Sequence, residues 1–265
     1  MDFNNKKVLI TGAGSGLGKE LASSFLNLGS VVIAVDKNLS KLEELKISNS
    51  NKLDLQQVDL TDTSQVVKMI NDVHSKWQNL DVLINNAGVI QQFVPVSKLS
   101  EAEIRKVFEI NFFAPLNLIR LFIPLIKKDQ ESLIVNVSSM GSYTPVPGQS
   151  IYGASKAALK LLSEGLEMEL RQTKTKVALV FPGAMKTSIT ENSGIKLTPE
   201  MMKQSESYKA LDASKAAQEI IKNLKKGKSK IYIGNDAKTM NLLSRISPKF
   251  ATNMIYKQMK NLLQS

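Results

Sequence analysis

The chain of 265 residues contains no cysteine, which removes disulfide frameworks, thiol nucleophiles and thiolate metal sites. Its one histidine, His74, is too little for most zinc chemistry or for a triad needing a second imidazole. In a polar turn before Trp77 it reads as a surface or half-buried residue, and no metal site is expected. Long hydrophobic runs are also missing. The most apolar stretch, 115–126, carries Arg120 and Pro124 and by itself is too short to span a bilayer. The opening MDFNNKKVLITG has no basic n-region, long apolar core or small-residue cleavage site, so no secretory signal is expected. A cytoplasmic protein, or one peripheral to a membrane, is the expectation.

Acidic residues are scarce only toward the C-terminus. Residues 201–265 hold 13 Lys/Arg against 4 Asp/Glu, whereas residues 1–200 hold 22 against 20. The formal charge of +11 therefore belongs to the last quarter, and the body of the chain gives no warrant for a nucleic-acid partner.

What is present is ordinary globular composition, 43% hydrophobic and 22% charged, at a length that fits one large α/β domain. Short β-branched runs are expected as strands at 8–10, 31–35, 53–58, 82–84, 133–137, 177–180 and 230–233. Helix-period segments lie between them at 16–28, 39–47, 62–77, 101–127, 151–172 and 212–225. Near-continuous apolar strands alternating with helices mark a parallel sheet covered on both faces. The expected fold is a doubly wound parallel α/β domain over 1–238, with a basic amphipathic extension at 239–265. In that extension Leu243, Ile246, Phe250, Met254 and Met259 form a rough helical stripe flanked by Arg245, Lys249, Lys257 and Lys260, and Pro248 should break or restart the helix. Packing on its own domain or a second subunit, a substrate lid, and a membrane-surface contact are all open to it.

The first chemical motif is Thr11-Gly12-Ala13-Gly14-Ser15-Gly16-Leu17-Gly18, between the first strand and first helix. Glycines here permit a tight turn and let a pyrophosphate approach backbone N–H groups at the helix start. Alone, such a turn is also merely structural. Asp36 ends the second strand, 18 residues beyond Gly18. A carboxylate there accepts from both adenosine ribose hydroxyls and repels a 2′-phosphate, favouring NAD over NADP. Lys37 is the opposing feature, and a plain strand-end turn residue is the alternative for Asp36. Asp59 and Leu60 follow the third strand, where they could touch adenine, or Asp59 could cap the next helix. Asn85-Asn86-Ala87-Gly88 ends the fourth strand, where doubly wound sheets place ligands; a turn is the other reading. Tyr152 and Lys156 are spaced to share one helix face, and Ser139 ends the fifth strand 13 residues before the tyrosine. A phenol normally titrates near 10, so a nearby ammonium and a cationic nicotinamide would be needed to favour its phenolate.

Together these motifs, with Pro182-Gly183 followed by Thr187, resemble the short-chain dehydrogenase/reductase family over about residues 5–235. The resemblance implies a Rossmann-like fold of about seven strands and an enzyme that interconverts an alcohol with its ketone or aldehyde using NAD(H). It implies Tyr152 as general acid/base, Ser139 as the group orienting the substrate oxygen, and Lys156 as the residue that binds the nicotinamide ribose and lowers the tyrosine pKa. Asn111 would hold a water extending the proton relay, with a buried amide or helix kink as its other reading. Gly12, Ser15, Gly16, Leu17, Gly18, Asp36, Lys37, Asp59, Leu60, Asn86, Ala87, Gly88, Tyr152, Lys156, Pro182, Gly183 and Thr187 would bind the cofactor. The substrate, mainly apolar, would sit among residues 89–100, 140–150 and 184–210. Met185, Met201 and Met202 lie in or near that last segment. A homodimer or homotetramer is implied, with 101–127 and 151–172 as interface helices. Two rivals remain: a catalytically silent NAD(H)-binding sensor or scaffold, and a membrane-surface protein acting through the basic tail.

Overall fold

The computed structural model describes residues 1–45, 50–126, 130–195 and 210–260. Seven strands form one wholly parallel sheet: β1 (Lys7–Thr11), β2 (Val31–Asp36), β3 (Leu53–Gln57), β4 (Val82–Asn85), β5 (Ser132–Val137), β6 (Thr175–Pro182) and β9 (Lys230–Ile233). Their order is β3-β2-β1-β4-β5-β6-β9, the doubly wound arrangement expected. The chain reverses its direction of travel between β1 and β4, and the crevice outside their carboxyl ends is where such sheets bind ligands. A separate two-stranded piece, β7 (Met185–Lys186) with β8 (Leu211–Asp212), brackets the segment 196–209. Met201 and Met202 lie outside the described residues.

Each sheet face is covered by helices whose apolar stripe is buried. On one face lie α1 (Gly16–Asn27), with Leu17, Leu21, Ala22 and Phe25 inward, and α8 (Ala213–Lys225), with Ala216, Ala217, Ile220, Ile221 and Leu224 inward. The other face is covered by α3 (Thr63–Trp77), α5 (Ala114–Phe122) and α6 (Ser150–Glu169). Asp62, not Asp59, caps α3: its carboxylate accepts from the backbone N–H groups of Ser64 at 2.9 Å and Gln65 at 3.2 Å. A short helix, α2 (Leu39–Glu43), follows β2 with Asn38 as its cap.

The expected helix over 101–127 is not uniform. Helix α4 (Glu101–Phe108) passes through a π turn at Glu109–Phe113 into α5. Taken together, Glu101–Leu125 is 25 residues with a window of mean hydropathy 1.3, long and apolar enough to cross a membrane by length and composition. The stretch 115–126 alone understated that length. In the fold one side of this run packs on the core, with Leu118, Ile119 and Phe122 sunk against the sheet.

The tail forms two helices after a short α7 (Ile189–Asn192) and α8: α9 (Asn235–Ile246) and α10 (Pro248–Met259), restarted at Pro248 as expected. The expected stripe is corrected. Met240, Ala251 and Ile255 are the buried residues, packed with Leu243, Met254 and Met259 against Met140, Tyr143 and Val146. Ile246 is 73% exposed and Phe250 57%, because the break at Ser247 resets the helical phase on which the stripe depended. Residues 261–265 of the extension lie outside the described residues.

Candidate active site

One cavity runs along the carboxyl ends of β1, β2, β4 and β5, from Asp36 at its outer end to Tyr152 within. Gly12, Ser15, Gly16 and Leu17 line it from the first turn, Asp36 and Lys37 from the end of β2, and Asp59 and Leu60 from the loop after β3. Asn86, Ala87 and Gly88 line it after β4, Ser139 after β5, Tyr152 and Lys156 from α6, and Pro182, Gly183 and Thr187 after β6. Gly18 and Asn111, which the sequence placed in the site, do not line it.

Gly18 acts by close packing. A Cβ there would lie 2.0 Å from the Gly12 carbonyl oxygen, so the glycine loop can fold on the start of α1 only without a side chain. Gly12 itself has φ of +65°, and a Cβ would meet Ala87 Cα at 2.9 Å. The two ligand-facing turns are tied together through Thr11 and Asn86. The Thr11 hydroxyl accepts from the Asn86 and Ala87 N–H groups at 3.0 and 3.1 Å, and Asn86 Nδ2 donates to the Thr11 carbonyl at 2.9 Å. Asn86 thereby fixes the floor of the cavity and leaves it open, a shape that fits a pyrophosphate lying across the helix start.

At the outer end, Asp36 accepts from the Gly14 N–H and the Asn38 N–H, both at 3.0 Å. These bonds fix the carboxylate while leaving lone pairs toward the cavity. Asp59 accepts from the backbone and hydroxyl of Thr61 at 2.9 and 2.7 Å, closing a turn at the cavity rim.

At the inner end, Tyr152 and Lys156 project from one face of α6, and the Tyr152 hydroxyl bonds to Ser139. Burial pushes the phenol pKa up, and the Ser139 bond partly opposes that. Lys156 is buried, with Nζ donating to the Val137 carbonyl at 3.0 Å. Burial brings its pKa down to about 8. A phenol and an ammonium held this way can exchange a proton with a bound hydroxyl or carbonyl. Asn111 sits behind them in the π turn, wholly buried, its Nδ2 donating to the Val89 carbonyl at 2.9 Å and the Ser155 hydroxyl at 3.0 Å, and its Oδ1 accepting from the Val89 N–H at 2.9 Å. Its side-chain amide is thus committed to protein partners.

Comparison with known sequences places this geometry. A sequence model described as short chain dehydrogenase matches residues 6–198. The chain belongs to the short-chain dehydrogenase/reductase family. Relatives include an estradiol 17-beta-dehydrogenase 2 of Mus musculus, 37% identical over 74% of this chain and 52% of that protein. Another is an uncharacterized oxidoreductase, DltE, of Bacillus subtilis, 34% identical over 87% of this chain and 89% of that one. The chain thus spans about half the length of the estradiol dehydrogenase and most of the bacterial protein. A solved short-chain dehydrogenase of Burkholderia cenocepacia in complex with NADP superposes with a TM-score of 0.79 at 25% identity, covering 96% of this chain and 99% of that one. All three are named as dehydrogenases or oxidoreductases, and the solved one holds NADP.

Within this short-chain dehydrogenase several site residues had no local signal. Asn192 of α7 donates to the Ser15 hydroxyl at 2.8 Å and accepts from Lys41 Nζ at 2.9 Å, closing the loop after β6 over the glycine turn. Asp236, in the first turn of α9, accepts from the Ala184 N–H at 2.7 Å. A Cβ on Gly183 would fall 2.1 Å from its carboxylate. The ring of His74, exposed in the last turn of α3, bonds only the Gln78 carbonyl among the described residues, at 3.0 Å. Among the described residues, no group of three potential metal ligands occurs.

Proposed function

We propose that this chain is an NAD(H)-dependent oxidoreductase that interconverts an alcohol and its ketone or aldehyde, with Tyr152 as general acid/base. The observation that carries the reading is the Ser139–Tyr152–Lys156 cluster at one end of a cavity whose other end is closed by Asp36. When bound, the dinucleotide supplies or accepts the hydride. The protein's part is position and protons. Ser139 orients the substrate oxygen, Tyr152 gives or takes its proton, and Lys156 holds the ribose hydroxyls and favours the phenolate. Asn111 braces the site from behind through Val89 and Ser155, in a π turn of a kind common at functional sites. An intact cluster of this kind speaks against a catalytically silent sensor.

Ile90, Ile110, Met185 and Ile189 line the cavity, which favours a mainly apolar substrate. The steroid alcohol in the name of the estradiol relative has that character. The end of β2 favours NAD(H). Asp36 presents a fixed carboxylate where a 2′-phosphate would lie, while Lys37 and Lys41 stand beside it. Nicotinamide fluorescence is expected to report NADH binding at least about tenfold tighter than NADPH. Preferred NADPH would assign the pocket to the two lysines and overturn the NAD reading.

A homodimer accords with the outer faces of the α4–α5 run and α6, where Phe113, Leu161 and Met168 are 47%, 70% and 72% exposed. The extension at 239–265 has a different character: Leu242, Ile246, Phe250 and Tyr256 are exposed beside Arg245, Lys249 and Lys257. Apolar side chains ringed by cations favour an anionic membrane surface, and a cytoplasmic enzyme peripheral to the membrane is the corresponding location. Sedimentation should give a dimer in buffer and salt-sensitive pelleting with phosphatidylglycerol vesicles. A monomer would remove the first inference, and equal binding by protein truncated after 238 would remove the second.

A further inference from the structure

The catalytic helix lacks a cap of its own. Gln149, at the N-cap of α6, makes no side-chain bond to the helix start, although the first-turn N–H groups of any helix need acceptors. The acceptor comes from 60 residues away. Gln91, in the loop that leaves β4 after Asn85-Asn86-Ala87-Gly88, directs its Oε1 to the Ile151 N–H at 2.7 Å and the Tyr152 N–H at 2.9 Å. Gln149 turns outward to close the clamp, its Nε2 donating to the Gln91 carbonyl at 2.7 Å. Both glutamines are buried, at 3% and 4% exposure.

Gln91 Nε2 has no partner among the described residues, and neither does Gln149 Oε1. The amide is therefore oriented by its oxygen alone, at the expense of a stranded donor. A carboxylate would accept the same two bonds, strand no donor, and be favoured by the positive end of the helix. A neutral acceptor has one distinguishing consequence. It keeps negative charge away from the phenol carried by the very residue whose N–H it binds.

We infer that Gln91 is a positioning residue for Tyr152: it fixes the start of α6 from the cofactor-side loop while remaining neutral, so that the phenol can still ionise. This rests on the reading of Tyr152 as the acid/base. The group facing that phenol is the Ser139 hydroxyl; the Lys156 ammonium, one turn along α6, lines the same cavity. A charge at position 91 would act against that ammonium.

Two variants test it. Gln91→Met keeps the volume and removes the acceptor; Gln91→Glu keeps the acceptor and adds charge. Tyrosinate absorbance is titrated for each protein against its own Tyr152→Phe counterpart, which isolates Tyr152 from the other tyrosines without requiring a substrate. Gln91→Glu is expected to melt no lower than the parent protein and to raise the Tyr152 ionisation by about one pH unit. Gln91→Met is expected to lose about tenfold or more in kcat while NADH affinity stays within about twofold. An unshifted phenol in Gln91→Glu overturns the inference, as does full turnover in Gln91→Met. Should Gln91→Met fail to fold, the Gln91→Glu titration decides alone. Absence of turnover in the parent protein would defeat the oxidoreductase reading instead, and the titration would still report on residue 91.

Discussion

Tyr152→Phe is expected to bind NADH within about twofold of the parent protein and to oxidise alcohol about 10³-fold more slowly. The change removes one oxygen atom from the inner end of the cavity. The glycine turn, Asp36 and the Asn86 lock are far along the crevice and keep their bonds, so cofactor affinity has no reason to fall. The lost oxygen is the only one among Ser139, Tyr152 and Lys156 whose ionisation can be matched to an alcohol proton. Ser139 is too weak an acid, and Lys156 donates to the Val137 carbonyl behind the site. Steady-state rates and fluorescence titration on the same preparation separate the two quantities. A parallel loss of NADH affinity would mean that the phenol is a binding group, and undiminished turnover would remove it from the chemistry.

Lys156→Met is expected to raise stability while it lowers activity. The parent Lys156 is buried, its ammonium has a single protein acceptor among the described residues, and burial brings its pKa from 10.5 down to about 8. The fold thus disfavours the charged form. Below pH 8 the folded protein carries the whole penalty, which for a depression of this size is about 3 kcal/mol. Between pH 8 and the unfolded value the unfolded chain holds the proton that the fold has released. This group's contribution therefore grows more favourable as pH rises through that window. Methionine fills the same space without a charge. At pH 7 the variant should melt higher by about 3–8 °C, and the difference should shrink as pH rises from 8 toward 10.5. Turnover should fall by about 10²-fold or more, with weaker cofactor binding, because the ribose and phenolate lose their cation. A melting temperature at or below the parent's at pH 7 would show that the ammonium is well satisfied in the fold. A site residue held at a cost to the fold is what a stability-for-activity exchange looks like.

The sheet was legible because its strands are short β-branched runs such as Val31-Val32-Ile33-Ala34-Val35, buried on both faces and separated by helices with a clear apolar stripe. Strands β7 and β8 were not, since two residues carry no period. The π turn at Glu109–Phe113 was hidden for a related reason: apolar residues continue through it, and one extra residue in the ladder leaves little trace in composition. In the tail, Pro248 marked the break, but its effect on phase could not be read locally, so one stripe joined Ile246 and Phe250, which are exposed, to Leu243, Met254 and Met259, which pack against the domain.

The candidate site divides along similar lines. Residues within the glycine turn, Asn-Asn-Ala-Gly and Tyr-x-x-x-Lys carry their meaning in local spacing. Gln91, Asn192 and Asp236 act across 61, 177 and 52 residues of chain respectively. A lone amide or carboxylate in a loop gives no sign of a partner so distant. Gly18 shows the converse, a residue whose motif suggested phosphate contact and whose position makes it a packing residue against Gly12.

The central claim is hydride exchange with an alcohol through Tyr152. Its most direct test is the appearance of NADH absorbance when purified protein and NAD⁺ are mixed with secondary alcohols of increasing apolar size. The expected result is NADH formation that strengthens with apolar size and disappears in Tyr152→Phe. Tight NADH binding with no alcohol oxidised and no ketone reduced would contradict it, and would leave a protein that holds the dinucleotide without using it.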